Sequence, residues 1–221
     1  MKTVFFTADD GAFNDVVPKL YVRFQSLNKQ ELRVLTPQDF NRLGLRTIHW
    51  VKAYLWDFVD STVDAVGWVD ADVIPLRPME DLSVDGIRMA FRPPDHPITK
   101  QALKDLRRAL NFKRKLTYCN AGVLLASRKA IPVFDRLKRY MREKPEIRFY
   151  EQSYLNLALA EEGIRLDLWP SEYNWTPGLG PVHDGVVFWH FPGGSDMKKL
   201  LRDEWDKLTE APCLKKTVSN E

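Results

Sequence analysis

The chain has 221 residues, 44% of them hydrophobic and 29% charged, with a formal net charge of +3. Such a composition builds one domain, with or without a small appendage, around a sizeable core, and excludes a disordered chain. The slight charge gives no case for nucleic acid as a partner, and two cysteines, Cys119 and Cys213, exclude a disulfide framework.

Thr3 to Ala8 is a β-branched and aromatic run that predicts a buried strand, ending in a turn at Asp9-Asp10-Gly11. The apolar run at the N-terminus is too short for a signal peptide, and no stretch approaches the ~20 apolar residues that span a bilayer. With the thiols reduced, a cytoplasmic location is expected, and the sequon Asn174-Trp175-Thr176 is disregarded. Asp15 to Leu27 carries Val16, Val17, Leu20, Tyr21 and Phe24 at helical spacing, with Asp15 as the expected N-cap. Glu31 to Leu35 predicts a second strand, Ile48 to Val59 an amphipathic helix and Ala65 to Val69 a third strand. Further strands are expected at Arg88 to Phe91, Gly122 to Ala126, Gly163 to Leu168 and Gly185 to Phe191. Helices are expected at Lys100 to Leu110, Ile131 to Arg142, Glu151 to Glu161 and Met197 to Leu208, and a loop from Ser171 to Gly185. The alternation predicts an α/β domain over 1–214, with a mostly parallel sheet flanked by helices and a tail over 215–221. The basic residues Lys104, Arg107, Arg108, Lys113, Arg114 and Lys115, and Arg136, Lys138, Arg139, Arg142 and Lys144, read as solvated helix faces. Their functional alternative is attraction to an anionic acceptor, a partner or a membrane surface, which would mean peripheral association.

The third strand runs into Asp70-Ala71-Asp72 before apolar character resumes at Val73-Ile74-Pro75-Leu76. Asp-x-Asp is a common turn start, yet acids between apolar stretches need a reason, because burying an unpaired charge is costly. In extended backbone Asp70 and Asp72 project to one side and repel unless a cation sits between them, and Mg²⁺ or Mn²⁺ suits carboxylates. A metal at a strand end is well placed to neutralise a diphosphate, which points to nucleotide-sugar chemistry. Phe188-Trp189-His190 is followed by Pro192-Gly193-Gly194; His190 is a core histidine bonded to backbone or a third ligand. The glycines leave N–H groups open to a phosphate. In open α/β sheets ligands bind beyond the carboxyl ends of the strands, where Asp9-Asp10, Asp70-Asp72 and His190 are expected to converge.

Six segments then occur in order: Thr7-Ala8-Asp9-Asp10, Val69-Asp70-Ala71-Asp72-Val73, Cys119-Asn120-Ala121-Gly122-Val123, Glu151-Gln152-Ser153-Tyr154-Leu155-Asn156, Tyr173-Asn174-Trp175 and His190-Phe191-Pro192-Gly193. This order resembles the GT-A glycosyltransferases, and within them the retaining family 8 group that includes glycogenin and bacterial lipopolysaccharide galactosyltransferases. The resemblance spans Thr3 to Lys199. It implies a single Rossmann-like GT-A domain and a metal, Mn²⁺ or Mg²⁺, held by Asp70, Asp72 and His190. The donor is a nucleotide-sugar, UDP first and GDP as the alternative, and the acceptor a hydroxyl of a saccharide or other glycan. Thr7, Ala8 and Asp9 would line the base, with Asp9 at the uracil edge. Asp70, Ala71 and Lys52 would lie beside the donor, and Gly193 and Lys198 near the diphosphate. Asn120 would pass the donor sugar, Glu151 and Gln152 would stand at the reacting face, and Asn174 and Trp175 would flank the acceptor. The family's lysine follows its glycine sooner than Lys198 and Lys199 do here, Glu151 replaces an aspartate, and Gly11 stands where some members carry asparagine. A nucleotidyltransferase would need a glycine-rich loop after the first strand, which Thr7 to Gly11 lacks. A catalytically degenerate binding module is opposed by the intact Asp70, Asp72 and His190. The chain is also compatible with a module of a larger multi-domain transferase.

Overall fold

The computed structural model describes residues 1–9, 11–45, 47–92, 95–113, 115–145, 147 and 149–210. Asp10, Arg114, Cys213 and the tail expected over 215–221 lie outside the described residues. The strands are β1 (Thr3–Ala8), β2 (Glu31–Leu35), β3 (Ala65–Val69), β4 (Val73–Pro75), β5 (Ile87–Phe91), β6 (Cys119–Ser127), β7 (Leu166–Trp169) and β8 (Phe188–His190). The α-helices are α1 (Val17–Leu27), α2 (Pro37–Arg42), α3 (Pro97–Leu110), α4 (Ile131–Glu143), α5 (Tyr150–Glu162) and α6 (Ser195–Glu210).

Six strands form one sheet in the order β2-β1-β3-β6-β5-β7, and β4 pairs with β8 in a separate ribbon. Only β6 runs against its neighbours, so the expected mostly parallel sheet is found. Both faces are covered, which is why β1 reads as a continuous apolar run. Val4, Phe6 and Ala8 pack on one side with Trp50, Leu55, Phe134 and Tyr154. Phe5 faces the other side with Leu20, Phe24, Val73, Phe188, Leu201 and Trp205. The period of two therefore assigns each strand residue to a layer: Trp68 continues the first core, Val69 the second.

Several local expectations change. Asp15 does not cap α1; Val16 holds that position without a side-chain bond, and the Asp15 carboxylate pairs with Arg202 of α6 at 2.6 Å. The sequence reading passed over α2, although Thr36-Pro37-Gln38-Asp39 is a capping box: the Thr36 N–H donates to Asp39 Oδ2 at 2.9 Å. The helix expected at Ile48 to Val59 is a 3-10 helix over Ile48–Phe58. Three residues per turn put His49 and Lys52 on one edge. β6 starts at Cys119 because the Asn156 amide meets both the Cys119 N–H (2.8 Å) and its carbonyl (2.9 Å). Among the described residues no helix is long and apolar enough to cross a membrane.

Candidate active site

The chain leaves β3 at Val69 and turns at once. The Asp70 N–H donates to the Gly122 carbonyl of β6 at 2.8 Å, and the Val73 N–H to the Asp70 carbonyl at 3.2 Å. Asp70-Ala71-Asp72 is thus a turn and not an extended run, and alternation along a strand is not what gathers its carboxylates. The antiparallel ribbon does that: Val73 is the register partner of His190, and the Phe191 N–H donates to the Asp72 carbonyl at 2.9 Å. The ribbon carries the imidazole back over the turn. His190 Nε2 lies 3.2 Å from Asp72 Oδ1 and 3.8 Å from Asp70 Oδ2.

This donor set fits a divalent cation: two carboxylates and one imidazole offer ligand atoms within 4.8 Å of one another. The surroundings orient Asp70 and His190. Asp70 Oδ1 accepts from Trp68 Nε1 at 2.6 Å and lies 2.9 Å from Lys52 Nζ, while Oδ2 faces His190. Burial pushes the Asp70 carboxyl up, but the charges of Lys52 and His190 and the bond from Trp68 outweigh it and hold it below its usual range. His190 Nδ1 bonds Asn174 Oδ1 at 2.7 Å. An amide oxygen only accepts, so Nδ1 donates to it, and Nε2 is the ring nitrogen that faces the carboxylates. A side chain at Gly122 would put its Cβ 2.3 Å from His190 Cε1, so the imidazole fits only against a glycine.

Lys52 is 4% exposed. Its ammonium meets Glu151 Oε1 at 2.8 Å, Asp70 Oδ1 at 2.9 Å and the Ala121 carbonyl at 3.2 Å, one acceptor for each of its three protons. Burial alone would lower its pKa, but the two carboxylates outweigh that and raise it. Lys52 therefore lines the strand-end cavity with its donors directed at protein. It ties the 3-10 helix, the turn after β3, β6 and α5 to one point. Gln152 is committed in the same way: Oε1 accepts from the Ala121 N–H at 3.0 Å and Nε2 donates to the Tyr118 hydroxyl at 2.9 Å. Asn120 Oδ1 accepts from the Gly122 N–H at 2.6 Å.

These residues surround a cavity of about 490 Å³ at the carboxyl ends of the strands. Asp70, Asp72, His190, Lys52, Asn120, Glu151, Gln152, Gly193 and Lys198 all line it, and Ala8 and Ala71 line an adjoining pocket of about 140 Å³. The convergence expected of the strand ends is present for Asp70, Asp72 and His190. Gly193, at φ +146, adopts a backbone that favours glycine. It leads into the first turn of α6, which carries Lys198, its ammonium 4.7 Å from the Phe13 ring centre. Two candidates stand apart. Thr7 lies on the opposite face of β1 from Ala8, fully buried. Asp9 accepts the Gly11 N–H at 2.8 Å and so stiffens its own turn. The sequence reading did not single out Arg92 and His96. Arg92 follows β5 directly and lines the cavity; a charge ending the apolar run Met89-Ala90-Phe91 was the available signal.

No protein-family model matches the chain, and no curated protein matches it in sequence. Solved structures do match. One is a glycosyltransferase involved in the glycosylation of the major capsid of PBCV-1, 13% identical, with a TM-score of 0.63 over 92% of this chain and all of that one. Another is the galactosyltransferase LgtC in complex with donor and acceptor sugar analogues, 17% identical, with a TM-score of 0.59 over 95% of this chain and 97% of that one. At such identities the likeness defines the fold: this chain has the GT-A-type α/β fold of those glycosyltransferases.

Proposed function

We propose that this chain is a metal-dependent glycosyltransferase that moves a sugar from a nucleotide-sugar to a hydroxyl of a saccharide or other acceptor. The observation that carries the reading is the meeting of Asp70, Asp72 and His190 on the wall of the strand-end cavity. Mn²⁺ is the preferred cation, because an imidazole joins two carboxylates, with Mg²⁺ as the alternative. When bound, the cation stabilises the negative charge that develops on the leaving diphosphate.

The chain's own residues take the remaining tasks. Gly193 and Lys198 sit where the backbone enters α6, and a helix N-terminus with an adjacent ammonium favours a diphosphate. Ala8 and Ala71 line the pocket in which we place the nucleoside, a UDP-sugar first and GDP as the alternative. In this placement Thr7 shapes the strand behind the base and Asp9 holds the loop at its edge. Asn120, Glu151 and Gln152 form the wall facing the donor sugar. Glu151, fixed in place by its ion pair with Lys52, presents its carboxylate on the wall that an oxocarbenium-like transition state would face. Such a wall on one face of the sugar suits retention of anomeric configuration. Residues 1–214 are read as one catalytic unit, and a cytoplasmic setting is part of the same reading.

Donor hydrolysis tests the reading without knowledge of the acceptor. With Mn²⁺ and a panel of UDP- and GDP-sugars, slow release of nucleotide that EDTA stops and Asp72→Asn abolishes is the expected result. NMR of the released sugar at early times then reports the anomer. Absence of turnover with every donor and metal would contradict the assignment.

A further inference from the structure

A second cavity, of about 360 Å³, adjoins the first, and Arg92 and Asn120 line both. Its lining is mostly apolar, with polar side chains from Arg92, His96, Asn120, Ser171, Asn174 and Thr176, and among the described residues no carboxylate lines it. Arg92 is 6% exposed. Among the described residues no carboxylate pairs with its guanidinium; the ionisable groups that act on it to favour its charge are the Tyr118 phenol and the Cys119 thiol, neither anionic at neutral pH. Glu151, a carboxylate that lines the first cavity, is held by Lys52 at 2.8 Å.

Two residues of this cavity also carry buried side-chain donors without partners. Asn174 uses its oxygen for His190, and its buried Nδ2 bonds nothing; the buried Trp169 Nε1 likewise bonds nothing. His96 accepts the Ile98 N–H on Nδ1 at 3.2 Å, which leaves Nε2 as its donor. Buried arginines are ordinarily paired, because an isolated buried charge is costly. A buried guanidinium with no carboxylate partner among the described residues suits an acceptor-rich, negatively charged group.

We propose that this cavity takes a saccharide unit bearing a carboxylate or phosphate, and that Arg92 selects it by a paired, charge-assisted hydrogen bond. The inference rests on the glycosyltransferase reading and adds the substrate class. The anionic unit comes from the donor sugar or from the acceptor, and matched probes separate the two. For the donor, UDP-glucuronate is compared with UDP-glucose in Mn²⁺ by calorimetry. For the acceptor, methyl glucuronide is compared with methyl glucoside, and glucose 6-phosphate with glucose, with and without UDP.

At least one anionic probe should bind ten-fold or more tighter than its neutral twin. R92M should remove that preference, and R92K, which keeps the charge but lacks the planar fork, should retain only part of it. R92M should melt at or above the wild-type temperature, since it removes an unpaired buried charge, and this separates lost recognition from lost folding. Equal binding within every pair, or a preference that survives in R92M, would overturn the proposal. The arms without UDP report on Arg92 even if nucleotide fails to bind. A failure of UDP and GDP to bind would count against the glycosyltransferase reading alone.

Discussion

The His190 imidazole occupies the space that a side chain at Gly122 would need: a Cβ there would lie 2.3 Å from Cε1 and 2.6 Å from Nδ1. β6 thus sets the position of an imidazole that β8 supplies. Gly122→Ala must push the ring away from Asp70 and Asp72. Its Mn²⁺ affinity should fall at least ten-fold, an order set by the sensitivity of metal sites to ligand orientation. Calorimetric titration checks this, and wild-type affinity in the variant would show that the ring does not need that place.

Asn174 holds the other side of the same ring through Nδ1. Asn174→Ala should weaken Mn²⁺ binding by about 10–100-fold, the usual effect of removing a residue that orients a metal-bound histidine. Asn174→Asp keeps the accepting oxygen and should retain more affinity than the alanine variant. Equal loss in both would argue that Asn174 only fills space.

Lys52 neutralises two acids on different elements, Asp70 and Glu151. Lys52→Met leaves both without their cation and should cost about 3–5 kcal/mol of stability, the range for breaking a buried pair from one side. Adding Glu151→Gln should recover part of that loss, because one stranded charge is then removed. Denaturant unfolding of the two single variants and the double gives the coupling; strict additivity would contradict the shared site.

Burial raises the Cys119 thiol to about 12 and the Tyr154 phenol to about 12. In the unfolded chain both ionise at lower pH, near 9 and 10. Their contribution to stability is complete below about pH 9 and declines as pH climbs toward 12. Unfolding measured across that window should show stability falling with pH, and Cys119→Ala should make the fall shallower. An unchanged slope in Cys119→Ala would place the loss elsewhere.

The layers of the fold were legible because strand residues alternate between two cores, and β1 and β3 are apolar on both faces. Asp70, Asp72 and His190 were legible because charged or ligating groups ended apolar runs. The reason for their convergence was not, since it depends on the β4–β8 ribbon and not on strand alternation. Lys52 and Glu151 are 99 residues apart, and no local pattern announces that one neutralises the other. One residue of parity separates Thr7 from the cavity: Ala8 lines the pocket and the Thr7 side chain is buried on the other face of β1. Asp15 has the right residue type for a helix cap, but a carboxylate within reach of Arg202 is satisfied by a partner 187 residues away. Arg92 was passed over because the reading of β5 stopped at Phe91, one residue before the sheet rim became chemical.

The most direct test of the central claim is calorimetric binding of UDP and GDP to the wild type and to Asp72→Asn, with Mn²⁺ and with EDTA. The account predicts nucleotide binding that requires Mn²⁺, favours UDP and is lost in Asp72→Asn while the melting temperature stays within a few degrees of the wild type. Nucleotide binding that is equally tight in EDTA, or that Asp72→Asn leaves intact, would contradict it.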